Sequence, residues 1–115
     1  MQLVVELAKQ YAKVLAESCL EPGTQRVVRI GSHRILLVRT QDKVFAVQDL
    51  CPHALLPLVG AEISGACITC PRHGARFDLI TGKPLNHTTT ESINIYPVRI
   101  KDGNIQIALE AGQFN

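Results

Sequence analysis

Cys51-Pro52-His53-Ala54-Leu55-Leu56-Pro57 and Cys70-Pro71-Arg72-His73-Gly74 are two halves of one pattern. Each half offers one thiolate and one imidazole, and sixteen residues separate His53 from Cys70. Two such pairs make a two-pronged, four-ligand metal site of Cys2His2 type. Soft thiolates and borderline imidazoles select zinc or iron–sulfur chemistry over calcium and magnesium, which take hard oxygen ligands. The rest of the chain is expected to be organised around Cys51 to His73.

Zinc fingers usually pair Cys with Cys and His with His. Here each prong carries one of each. That suits two irons bridged by sulfides, with both Cys on one iron and both His on the other. The spacing Cys-x-His, sixteen residues, Cys-x2-His-Gly resembles the Rieske motif. Ala75-Arg76-Phe77-Asp78-Leu79 and Thr81-Gly82-Lys83-Pro84-Leu85 resemble its continuation in Rieske-type ferredoxins, and Tyr96-Pro97-Val98 with Asp102-Gly103 fits the last hairpin. The likeness runs from roughly Tyr11 to Leu109.

The resemblance implies an all-β fold, a Rieske-type antiparallel β-sandwich with a small cluster-binding subdomain formed by two loops. It implies one [2Fe–2S] cluster per chain, with Cys51, His53, Cys70 and His73 as both metal ligands and cofactor-binding residues. It names no catalytic residue. The function it implies is one-electron transfer from a flavin-dependent ferredoxin reductase to a terminal, aromatic-ring-hydroxylating oxygenase, so the chain is a component of a dioxygenase or monooxygenase system and not a complete enzyme. No Gly-rich dinucleotide fingerprint and no second motif for mononuclear iron is present. The alternatives are a small Rieske-like subunit of a nitrite reductase, a Rieske protein serving a different monooxygenase, and a structural Cys2His2 zinc module.

Two departures from the family pattern stand out. Related ferredoxins commonly have Gly where this chain has Leu55. Respiratory Rieske proteins carry two further Cys, joined in a disulfide across the loops. The matching positions here are Leu56 and Arg72, so the resemblance is to the ferredoxin branch. Those respiratory proteins also place hydroxyl donors near the cluster where this chain has Ala75 and Phe77, neither of which can donate. A potential low in the Rieske range is expected from that.

The 115 residues suit a single domain, 1–115, with the cluster-binding part at roughly 48–84 and an N-terminal extension over 1–10. Apolar residues make up 46% and aromatics only 4%, so Val, Ile and Leu must build the core. Twelve Lys and Arg against ten Asp and Glu argue against a nucleic-acid partner. No apolar run approaches membrane-span length, and Met1 to Leu20 is interrupted by Glu6, Lys9, Lys13 and Glu17, unlike a signal peptide. A reducing cytoplasm is expected, with Cys19 and Cys67 as buried thiols.

Short apolar segments between turn residues predict strands. They fall at about Tyr11–Ala16, Val27–Ile30, His33–Thr40, Val44–Val47, Ala66–Thr69, Ala75–Leu79, Ile93–Ile100 and Ile105–Leu109. Pro97 is expected to mark an edge or bulge in the seventh. The run Ile35–Val38 predicts burial on both faces. Asn86–Glu91 is polar and reads as a loop. Outside the motif, His33 and His87 read as exposed histidines. Arg72 and Arg76 are solvated charges or steering groups for an acidic partner. Leu55, Leu56 and Leu58 shield the cluster or form an apolar docking patch.

Overall fold

The computed structural model describes residues 9–52, 55–72 and 74–110. Ten strands follow in order: β1 Lys9–Ala16, β2 Gln25–Ile30, β3 His33–Arg39, β4 Val44–Gln48, β5 Glu62–Ser64, β6 Cys67–Thr69, β7 Arg76–Asp78, β8 Ile95–Tyr96, β9 Val98–Lys101 and β10 Asn104–Glu110. A single 3-10 turn, Glu17–Cys19, separates β1 from β2. They form three antiparallel sheets, ordered β1-β10-β9, β2-β3-β4-β8 and β5-β6-β7.

β3 is the central hydrophobic strand. Ile35, Leu36, Leu37 and Val38 are all buried, as the unbroken apolar run predicts. Strand side chains alternate between faces. Leu36 and Val38 accordingly join one core cluster, with Val47, Leu58, Ile68 and Phe77. Ile35 and Leu37 join another, with Leu20, Ile105, Ile107 and Leu109. One strand thus ties the sheet of β1, β9 and β10 to the small sheet of β5, β6 and β7. Phe77 is the largest fully buried side chain among the described residues. Burying a Phe contributes about 1.5–3 kcal/mol.

The hairpin turns behave as their residues predict. Gly31-Ser32 joins β2 to β3, with Ile30 paired to His33. Asp102 and Gly103, both at positive φ (53 and 77), join β9 to β10, the backbone shape that a two-residue turn between twisted strands requires.

Four expectations need correction. The segment Ile93–Ile100 is not one strand with a bulge. It divides at Pro97 into β8, which pairs with β4, and β9, which pairs with β10, so the chain changes sheets there. Proline has no N–H to give either ladder, but its carbonyl still accepts from the Ala108 N–H at 2.9 Å. Cys19 is exposed, not buried, because the tight turn directs the next residue, Leu20, inward instead. β1 begins at Lys9, inside the expected extension, whose first eight residues lie outside the described ones. His33 is half-buried, its ring edge-on to that of Tyr96 with centroids 6.4 Å apart. His87 is exposed as expected.

Candidate metal centre

Each cysteine of the motif begins a loop, and the two loops share one backbone plan. The Cys51 N–H donates to the Leu56 carbonyl at 2.8 Å, and the Leu55 N–H donates back to the Cys51 carbonyl at 2.7 Å. The Cys70 N–H donates to the Ala75 carbonyl at 2.7 Å, and the Gly74 N–H donates back to the Cys70 carbonyl at 3.1 Å. In both, cysteine i bonds to residue i+5 and residue i+4 returns to it. Residue i+4 takes positive φ each time: 56 at Leu55 and 74 at Gly74. Glycine adopts that shape freely; leucine does so at a cost.

The small sheet sets the second loop. β6 leads directly into Cys70, and β7 carries the chain away after Ala75. Ile68 pairs with Phe77, and Thr69 with Arg76, so both stems are held in register. β5, the outer strand, was not legible in the sequence; Glu62-Ile63-Ser64 has one apolar residue in three. Asn86 braces the same loop from outside. Its Nδ2 donates to the Gly74 carbonyl at 2.8 Å and its Oδ1 accepts from the Arg76 N–H at 3.3 Å.

The first loop is braced by side chains that sequence reading passed over. Asp49 is the one charged residue in the buried set among the described residues. Its Oδ1 accepts from the N–H groups of Leu58 (2.9 Å) and Val59 (2.8 Å), and its Oδ2 from Nε of Arg34 on β3. Gln25 on β2 continues the clamp, accepting from the Gly60 N–H at 2.9 Å and donating to the Ala61 carbonyl at 2.6 Å. The signal available was a lone acidic residue between the apolar β4 and Cys51.

Cys51 and Cys70 are both buried, at 0% and 1% exposure, and belong to the same core cluster as Leu58, Ala75 and Phe77. No disulfide joins them or involves Cys19 or Cys67. His53 and His73 lie outside the described residues, so of the four expected ligands the structure describes the two cysteines, both in one core cluster. Two buried thiols in one core cluster, each at the base of a matching loop, fit a metal group that takes both as thiolates. Leu58 is buried beside them, whereas Leu55 is 72% exposed at the loop tip and Leu56 is intermediate. Arg72 and Arg76 are exposed, and Nε of Arg76 donates to the Sγ of Cys67 at 3.3 Å. Cys67 is buried, as expected.

Comparison with known proteins agrees with this geometry. Residues 10–97 match the family model described as the Rieske [2Fe–2S] domain. The chain is similar to Ferredoxin CarAc of Metapseudomonas resinovorans, 34% identical over 101 residues, covering 87% of this chain and 94% of that one. Among solved structures it is similar to a chain of the complex of reduced oxygenase and oxidised ferredoxin in carbazole 1,9a-dioxygenase (33% identity, TM-score 0.77, covering 85% of this chain and 92% of that one). It is also similar to the ferredoxin of carbazole 1,9a-dioxygenase from Nocardioides aromaticivorans IC177 (27% identity, TM-score 0.79, covering 85% and 96%). The antiparallel sheets, the paired cysteine loops and these likenesses lead to one assignment: the chain belongs to the Rieske [2Fe–2S] domain family, among its small ferredoxins, and carries one [2Fe–2S] cluster.

Proposed function

We propose that this ferredoxin is the one-electron carrier of a multicomponent oxygenase system, receiving electrons from a flavin-dependent reductase and delivering them to a terminal, aromatic-ring-hydroxylating oxygenase. The observation that carries the reading is the match to 94% of the length of Ferredoxin CarAc. In the same reading Cys51 and Cys70 ligate one iron and His53 and His73 the other. Residues 1–115 act as one domain, roughly 48–84 being the cluster-binding part. The compartment is the reducing cytoplasm, which suits four cysteines without a disulfide. Among the described residues, no helix is long and apolar enough to cross a membrane.

When bound, the cluster supplies a site that accepts and releases one electron. The chain's own part is positional. Leu58, Ala75 and Phe77, fully buried beside the cysteines, keep water from the thiolate side. The matched bonds of the two loops fix the backbone at both cysteines. The exposed tip at Leu55 leaves the other side open to a protein partner.

Reconstitution tests the reading. Cluster-loaded protein mixed with a ferredoxin reductase, NADH and a ring-hydroxylating terminal oxygenase should support substrate-dependent oxygen uptake, and the Cys70→Ser protein should not. Loaded protein that the reductase reduces but no such oxygenase reoxidises contradicts it.

A further inference from the structure

Asn86, which braces the second ligand loop, opens the polar stretch that follows it. Its amide spans the outer edge of Ala75, donating to the Gly74 carbonyl and accepting from the Arg76 N–H. The Thr88 N–H also approaches Oδ1, at 3.5 Å. Only one orientation of the amide serves both neighbours of Ala75, because a flip would set donor against donor and acceptor against acceptor. The Gly74 carbonyl and the Arg76 N–H therefore point the same way, outward.

With planar trans peptides, the N–H and carbonyl of Ala75 itself must point the opposite way, inward. The carbonyl does so, accepting from Cys70 N–H at 2.7 Å. The Ala75 N–H faces the same side. It belongs to a residue with no exposed surface and has no acceptor among the described residues. Buried backbone donors are rarely left so, and a sulfur at the site that Cys70 serves is an acceptor of the right kind for this one.

We propose that Asn86 is a positioning residue of the metal centre: it holds the Gly74–Ala75 peptide so that the Ala75 N–H donates to a sulfur of the cluster site, and it thereby raises the midpoint potential. The proposal rests on the [2Fe–2S] reading. A hydrogen bond to sulfur favours the reduced, more negative state. Without the amide at position 86 the peptide loses its outer anchor, the bond to sulfur weakens, and reduction becomes harder.

The test combines voltammetry with pulsed electron paramagnetic resonance of the dithionite-reduced protein labelled with 15N-alanine. The wild type should show a 15N coupling that vanishes in Ala75→Ser protein carrying the same label. Asn86→Ala should keep its iron, lower the midpoint potential and weaken that coupling. The expected shift is a severalfold change in the reduced-to-oxidised ratio at fixed potential, where tenfold corresponds to about 59 mV for a one-electron couple. Asn86→Gln, which keeps both amide functions on a longer arm, should recover part of the shift. If Asn86→Ala fails to retain iron, Asn86→Ser, whose hydroxyl cannot span both groups, is read by the same criteria. A reduced-cluster signal without an Ala75 coupling, or an alanine variant with the wild-type potential, overturns the proposal and leaves the cluster assignment standing. Absence of any reduced-cluster signal in the wild type overturns the cluster assignment itself.

Discussion

Leu55 and Gly74 hold the same place in two matching loops, each donating its N–H to the carbonyl of the cysteine four residues before it, at φ 56 and φ 74. The left-handed region costs an L side chain roughly 1–2 kcal/mol. Leu55 is largely exposed, so its side chain returns little by burial. Leu55→Gly should therefore stabilise the loaded protein by about 1 kcal/mol, part of the relief being offset by the added freedom of glycine when unfolded. At Gly74 a Cβ would meet nothing within 4 Å among the described residues, so Gly74→Ala should cost mainly the conformational term, about 1 kcal/mol. Chemical denaturation midpoints measure both, and a lower midpoint for Leu55→Gly contradicts the argument.

Asp49 is the keystone of the first loop. Asp49→Ala leaves two backbone N–H groups and the Arg34 guanidinium without their acceptor. Arg34 is 38% exposed and can turn to water, so the loss comes mainly from the two N–H bonds. Hydrogen bonds to a charged group contribute about 1.5–3 kcal/mol each, so the two N–H bonds set a total loss of roughly 3–6 kcal/mol. Asp49→Ala should also release iron to a chelator faster than the wild type. Equal stability and equal iron retention contradict the role given to Asp49.

Ala75 and Phe77 are both fully buried in the cluster of core residues that contains Cys51 and Cys70. Ala75→Ser introduces a hydroxyl donor there. One net hydrogen bond is worth about 0.5–1.5 kcal/mol, so the midpoint potential should rise on the order of tens of millivolts. Voltammetry of both proteins at one pH checks it, and an unchanged or lower potential contradicts it. Phe77→Tyr adds its hydroxyl at the far edge of a ring with no exposed surface, so its packing cost should appear as a lower melting temperature alongside any rise in potential.

Much of this architecture was legible because its signals are local. The run Ile35–Val38 announces a strand buried on both faces, and Asp102-Gly103 announces its hairpin. The ligand motif marks the two loops by residue type and spacing alone. What escaped depends on partners distant in sequence. β5 exists because Glu62–Ser64 pairs with Cys67–Thr69, not because its three residues prefer a strand. Pro97 marks a boundary in sequence, but the change of sheet depends on β4 and β10. The bracing roles of Asp49 and Asn86 rest on contacts to backbone groups, which leave no trace in residue pattern.

Tyr96 is half-buried beside His33, and burial pushes its phenol above the ordinary value of 10.0. The folded state therefore keeps a proton that the unfolded chain releases above about pH 10. There the unfolded state binds fewer protons, so stability should fall as pH rises past the ordinary value. Ultraviolet titration should show Tyr96 ionising later than a free tyrosine. Loss of Tyr96 in a Tyr96→Phe protein should flatten the alkaline side of the stability profile. A Tyr96 that titrates at or below the ordinary value contradicts this.

We propose that Cys51, His53, Cys70 and His73 together hold the [2Fe–2S] centre. Its most direct test is pulsed electron paramagnetic resonance of dithionite-reduced protein labelled with 15N-histidine. The reduced binuclear signal should show couplings to two histidine nitrogens, one lost in His53→Cys protein and the other in His73→Cys protein, while His33→Gln and His87→Gln leave both unchanged. Stoichiometric zinc without a signal, or an iron signal with no histidine coupling, would contradict it.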